Sequence, residues 1–302
     1  MMVNAWYSSL VLFGYVIMNV ISIIHRYFLC NNSSRLRRVA KLLSEFNIQN
    51  DKRFLKQIYL LMGCFIPYYL LVIATTVVAF CRKPEKFAGT RILGFQFPDK
   101  NIGNIINLMS SIFQNIFFSM PVNTFVLFYI TVCHDISQAF NGYKELMTIQ
   151  STPNYLYLMN IYHSLRNIVS DVDGHLNCIV LWAALSNVFC LYFGISAFSE
   201  PDMFIEEKIC TSAMILFNTL MFFLMCFWAD KVSCSAAAVA REAHWLPENR
   251  NSSVTHIRYL FAVNQDVHLS VWGFLPLRKG FIFASVGTMI TYSVLIKDIR
   301  KF

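Results

Sequence analysis

Charge is what this chain lacks. Of its 302 residues only 14% are Asp, Glu, Lys or Arg, against about 25% in soluble domains. The deficit is concentrated in six apolar runs, residues 5–24, 58–80, 102–133, 176–198, 209–229 and 280–298. None of the six has an ionisable Asp, Glu, Lys or Arg in its interior. Proton- and ion-coupled transporters, voltage sensors and pumps need such groups inside the membrane, so the absence argues against those classes and leaves facilitated diffusion open. Nucleotide, zinc and serine-hydrolase signatures are also missing: there is no Walker loop, GxGxxG, HExxH or GxSxG. The nine cysteines form no CxxC or CxxCH spacing, which removes the usual zinc and haem sites. Most lie within the apolar runs, as small core residues do. The expectation is a protein that is not an enzyme, with no catalytic residue, no metal and no cofactor. The one suggestive acidic group, Asp171 and Asp173 near His175, reads as a helix N-terminus complementing the macrodipole. Two marks of rhodopsin-like receptors are absent as well. No basic residue directly follows Cys133-His134-Asp135, and the last run holds no Asn-Pro-x-x-Tyr.

What is present is hydrophobic: 56% of the residues, with 28 Phe and 13 Met, and a mean hydropathy of +0.50. Each run is long enough to cross a hydrocarbon core about 30 Å thick. The fold class expected is all-α, a polytopic transmembrane helix bundle with six spans. The opening residues have no basic n-region and no small-residue cleavage site, so they make a poor signal peptide. Residues 5–24 then form the first span. Pro67 and Pro121 lie within the second and third spans and are expected to kink them. Leu36, Val39, Leu42, Leu43 and Phe46 recur at helical spacing, which predicts a basic amphipathic helix on the inner membrane surface. Residues 134–175 read as two amphipathic helices broken at Ser151-Thr152-Pro153. The fifth helix is expected to continue to Pro247. Another amphipathic helix is expected over residues 256–271, with a break at 273–278.

The net charge of +8 needs no nucleic acid to explain it, because excess Lys and Arg mark cytoplasmic loops. With residues 25–57 inside, the connectors on that side hold 16 basic residues and those opposite hold 9. Both ends of the chain then lie outside. Asn31, Asn32 and Asn251 head Asn-x-Ser sequons on the inner side, where no glycan is added; a glycan on any of them overturns the topology.

The last run carries spaced polar residues, Ser285, Thr288, Thr291 and Tyr292, which a helix facing only lipid does not need. Its sequence, GFIFASVGTMITYSVLIKDI, is similar to the end of insect-type gustatory receptors. These belong to the arthropod seven-helix chemoreceptor superfamily, which also contains the odorant receptors. Members end with Thr-Tyr, five mostly hydrophobic residues and Gln-Phe. Thr291 and Tyr292 match, whereas Asp298 and Ile299 stand for Gln-Phe. Two further segments, IYHSLRNIVSDVDGHLNCIVLWAALSNVFCLYFGI and DKVSCSAAAVAREAH, resemble the family's fifth and sixth helices, and the resemblance spans about residues 134–299.

That resemblance implies a multi-pass plasma-membrane receptor, probed by a small-molecule tastant and surrounded by lipid. It implies a homo- or heterotetrameric cation channel with the C-terminus extracellular. It also implies seven helices, so the six here correspond to the second through seventh and the first helix is missing. Residues 280–298 become the pore helix, with Leu295 the hydrophobic gate and Asp298 the selectivity ring. Residues 134–175 and 230–272 become the cytoplasmic anchor. The ligand pocket falls in the outer bundle. Its candidates are Trp6, Tyr7 and Phe13, residues around 72–80, then Phe113, Phe117, Phe118, Phe217, Asn218 and Phe222. A G-protein-coupled chemoreceptor and a facilitative transporter remain as rivals, although no internal repeat supports the latter.

Overall fold

The computed structural model of the chain describes residues 2–45, 52–82, 99–149, 153–198, 205–246 and 253–299. These form α1 (Met2–Asn31), α2 (Ser33–Glu45), α3 (Lys52–Arg82), α4 (Lys100–Ile149), α5 (Tyr155–Phe198), α6 (Ile205–Ala243) and α7 (Ser253–Val263). A two-stranded hairpin follows, β1 (Ser270–Val271) and β2 (Leu275–Pro276), and then α8 (Lys279–Ile299). The loops expected over 83–98 and 199–204 lie outside the described residues.

Local signals set the helix ends. Asp99 Oδ1 accepts the Asn101 N–H at 2.8 Å and starts α4. Pro153 cannot continue a helical ladder, and Asn154 caps α5 by accepting the Tyr157 N–H on Oδ1 at 3.2 Å. Pro67 and Pro121 sit inside α3 and α4 without ending them. The helices α4, α5 and α6 have 50, 44 and 39 residues. At 1.5 Å per residue α4 is about 75 Å long, more than twice the hydrocarbon thickness of about 30 Å. Among the described residues, four segments are long and apolar enough to cross a membrane: Lys52–Arg82, Ile116–Ile149, Tyr155–Tyr192 and Lys208–Ala243. Val16–Asn31 of α1 is apolar and shorter.

The core lies where α6 packs against α4 and α5. Tyr129, Phe140 and Met147 of α4, Leu158, Tyr162 and Ile179 of α5, and Met221 and Met225 of α6 are buried there. Further along, α6 buries Ala229, Val232, Ala236, Val239 and Ala243. These recur at spacings of three and four, on one helix face. Small side chains let the helices approach closely, and Ser137 Oγ meets Ser235 Oγ at 2.7 Å across that contact.

The tyrosines Tyr143, Tyr162 and Tyr259 fasten α7. Tyr143 Oη lies 3.0 Å from the Leu158 carbonyl and 3.0 Å from Tyr259 Oη. Tyr259 Oη lies 3.0 Å from Met147 Sδ, and Tyr162 donates to the Val263 carbonyl at 3.2 Å. Arg166 donates to Gln265 just beyond the end of α7.

Two sequence expectations are corrected here. The helix expected over 256–271 stops at Val263, and residues 270–276 form the hairpin instead. Trp272 and Gly273 have φ of 55° and 81°, positive angles that help the three residues 272–274 reverse the chain between Val271 and its partner Leu275. Second, Asp171 and Asp173 sit in the interior of α5, not at a helix start. The two corrections share one cause. Asp173 accepts the Ser270 N–H and the Ser270 hydroxyl, each at 2.6 Å, and one turn on, the Asn177 carbonyl accepts the Trp272 N–H at 3.3 Å. Bonds to α5 replace those that a longer α7 would have made.

Candidate ligand site and terminal helix

Tyr68 and Tyr69 follow Pro67 on α3, and neighbouring helix positions point about 100° apart. Tyr68 turns toward α6 and stacks on Phe217, with centroids 4.1 Å apart and planes at 11°. Phe65 meets the same ring edge-on at 5.4 Å. Tyr69 turns toward α4, where its hydroxyl accepts from Ser119 Oγ at 3.2 Å and from Asn123 Nδ2 at 3.3 Å. Asn123 is completely buried, and its Oδ1 has no protein partner. Exchanging the amide's orientation swaps the two atoms and still leaves one unpaired. A buried polar atom left without a partner costs about 1–3 kcal/mol. Three helices thus enclose an aromatic wall beside one unsatisfied amide. That chemistry suits a small aromatic or amphipathic molecule carrying one hydrogen-bonding group. Among the described residues, no group of three His, Cys, Asp or Glu comes together to hold a metal ion.

The residues singled out from sequence fall in several places. Phe217 belongs to this cluster. Asn218 is buried beside it, but its Nδ2 donates at 2.8 Å to the Met214 carbonyl of its own helix. Phe222 is also buried and faces Phe281 of α8 at 5.9 Å. Phe113 and Phe117 are exposed on α4, stacked at 4.7 Å, with Phe118 edge-on to Phe117 at 5.7 Å. Phe113 and Phe117 line a groove against α1 of which Phe118, Tyr68 and Phe217 are not walls. The side chains of Trp6, Tyr7 and Phe13 lie outside the described set. Tyr69, Ser119 and Asn123 were missed by sequence reasoning; the signal for them was a polar residue inside an apolar run.

The terminal helix α8 touches the bundle along one face. Ile282 and Met289 are buried, seven positions apart, with Phe281 and Val286 packed partly against the core. Ala284, Gly287, Thr288 and Thr291 form an exposed stripe at helical spacing, and Tyr292 is exposed next to it. Both threonines fold their hydroxyls back, Thr288 to the Ala284 carbonyl at 2.7 Å and Thr291 to the Gly287 carbonyl at 2.9 Å. Leu295 and Asp298 belong to the last turns of α8, where side chains lie outside the described set. At the other end, Lys279 Nζ pairs with Asp230 Oδ2 of α6 at 3.2 Å. One helix, α6, therefore carries Phe217 of the aromatic cluster and two contacts to α8, through Phe222 and Asp230.

No known family matches the sequence, and no curated protein matches it. Solved structures do match the fold. One is the insect olfactory receptor OR5 from Machilis hrabei in complex with eugenol, at 8% identity and a TM-score of 0.76, covering 93% of this chain and 79% of that one. The structure titled as the same receptor without mention of eugenol is similar at 10% identity and a TM-score of 0.60, covering 94% of this chain and 79% of that one. The chain thus shares the fold of an insect olfactory receptor. With four helices apolar enough to cross a bilayer, it is a multi-pass membrane protein.

Proposed function

We propose that the protein is a chemosensory receptor of the gustatory type, a ligand-gated cation channel opened by a small molecule. Four subunits, alike or mixed, bring their α8 helices around one axis in the plasma membrane. Their C-termini are extracellular, and residues 134–175 and 230–272, which include one end each of α4, α5 and α6 together with α7, form a cytoplasmic anchor. The observation that carries this is the exposed stripe of Ala284, Gly287, Thr288 and Thr291. A helix facing only lipid gains nothing from small and hydroxyl-bearing residues on one line, whereas helices meeting around an aqueous path do. The olfactory-receptor fold and the terminal Thr291-Tyr292 support the same conclusion.

The ligand enters among Tyr68, Tyr69, Asn123 and Phe217, and supplies the bond that the Asn123 amide lacks. It shifts the equilibrium only by binding one arrangement of α6 better than another. Because α6 reaches α8 through Phe222–Phe281 and Asp230–Lys279, its displacement moves the start of the pore helix. Leu295 then withdraws as a hydrophobic ring, and the ring of Asp298 favours cations.

Whole-cell recording tests this with a panel of sugars, bitter alkaloids, amino acids and small aromatic alcohols. The expected result is a ligand-evoked cation current that is lost or made ligand-independent by Leu295→Arg, with altered ion preference in Asp298→Ala. A current unmoved by both substitutions rejects the pore assignment. A response that Asn123→Leu leaves untouched rejects the ligand site.

A further inference from the structure

Arg26, near the end of α1, is a cation with no carboxylate partner among the described residues. Among the described residues its guanidinium lies over the Phe117 ring, 3.0 Å from the centroid, and no ion pair reaches it. Its Nε is buried with no hydrogen-bond partner. The neighbouring His25 does not serve it, because that ring turns inward against Phe125 at 5.6 Å. Arg26 stands in a groove of about 510 Å³ between α1 and α4, with Leu29, Cys30, Phe113, Phe117 and Met120 among its walls. Phe113 is 62% exposed and Met120 is 52% exposed, so the groove opens outward on a membrane protein. Its lining is apolar apart from this single charge.

A charge at such a site is costly unless it finds a counter-ion, and among the described residues the apolar walls supply none, which points to a molecule from outside the chain. The next element points to the same source. In α2, which begins two residues after α1 ends, Arg35, Arg37 and Arg38 are exposed, and no carboxylate occurs before Glu45. A basic segment beside a membrane-spanning helix draws anionic headgroups. We infer that the groove holds one anionic phospholipid, an acyl chain laid against Phe113, Phe117 and Met120 and the phosphate on Arg26. The lipid completes the contact between α1 and α4, which the protein's own side chains leave open. This inference does not rest on the receptor function proposed above; it needs only the membrane and the groove.

Native mass spectrometry of the full chain in mild detergent tests it, with phosphatidylserine and phosphatidylcholine of equal chain length as probes. One phosphatidylserine should stay bound under conditions that strip phosphatidylcholine. Arg26→Gln should weaken its retention about fivefold, the scale of one basic contact to an anionic headgroup. Met120→Trp, which fills the groove and leaves the charge intact, should weaken it comparably. Replacing Arg35, Arg37 and Arg38 by Gln together should leave this first lipid in place. Glycerophosphoserine, which has the headgroup and no chains, should not compete. Equal retention of the two lipids overturns the proposal, as does wild-type retention in either groove variant. Displacement by glycerophosphoserine also overturns it, because the site is then a phosphate site alone. Should Arg26→Gln fail to fold, Met120→Trp decides by itself.

Discussion

Asp173 stands in the middle of α5, where a carboxylate has no helix end to serve, and its two oxygens hold Ser270 of the hairpin. Hydrogen bonds to a charged group contribute about 1.5–3 kcal/mol each. Asp173→Ala, which removes both, should therefore lower unfolding stability by about 3–6 kcal/mol, read as a reduced thermal midpoint in detergent, with Asp173→Asn intermediate. Tyr259 offers a test by pH. Burial raises its phenol from 10.0 to about 12. The folded chain keeps this proton at a pH where the unfolded chain has lost it. The stability linked to it is thus present below pH 10.0 and is lost as the pH rises through about 12. Unfolding midpoints measured across that window should fall more steeply for the natural chain than for Tyr259→Phe. Neither role was legible in sequence. Asp173 beside Asp171 and His175 looked like a helix start, because its partner, 97 positions away, becomes its neighbour only after folding.

Helices end where sequence says when the stop is chemical, and elsewhere when it is tertiary. The break at Ser151-Thr152-Pro153 was readable, since proline lacks the N–H that continuing α4 would need. The extension of α6 was also readable from its Ala-rich, uninterrupted pattern, although the helix stops at Ala243 and not at the expected Pro247. The helix expected over 256–271 overshot Val263 because its apolar periodicity carries no record of Asp173 and Asn177 waiting on α5. Close packing between elements gives a further prediction. A Cβ added at Gly194 on α5 would lie 2.5 Å from Ile215 Cγ1 on α6, closer than carbon atoms can approach. Gly194→Ala should destabilise the fold by about 1–3 kcal/mol. Adding Ile215→Ala should restore part of that loss if the clash is the cause, and denaturation of the single and double variants measures it.

At the scale of the whole molecule, α8 is an element with unfinished packing. One face rests on α6 and α5, while the stripe through Ala284, Gly287, Thr288 and Thr291 faces outward. If that stripe meets its copies around an axis, Ala284→Leu should reduce the tetramer fraction by size-exclusion light scattering while leaving the unfolding stability of the single chain within about 0.5 kcal/mol, as an exposed substitution does. A stripe that merely faces lipid would tolerate leucine without change in assembly.

The sequence by itself determined that this is a helical membrane protein and where most of its helices run. Hydropathy and helix breaking depend on residues a few positions apart, so both are written locally. The last helix, with Thr291-Tyr292, was likewise recognisable from its own residues. Tertiary structure alone decided what each side chain meets. Phe217 and Phe222 lie five positions apart on α6 and looked equivalent, yet they point about 140° apart. One stacks on Tyr68, and the other touches α8. Periodicity assigns a side chain to a face of its helix; only packing supplies the neighbour on that face. For the same reason Tyr69 and Asn123, unremarked in the sequence, become the polar heart of the candidate site when α3 and α4 come together.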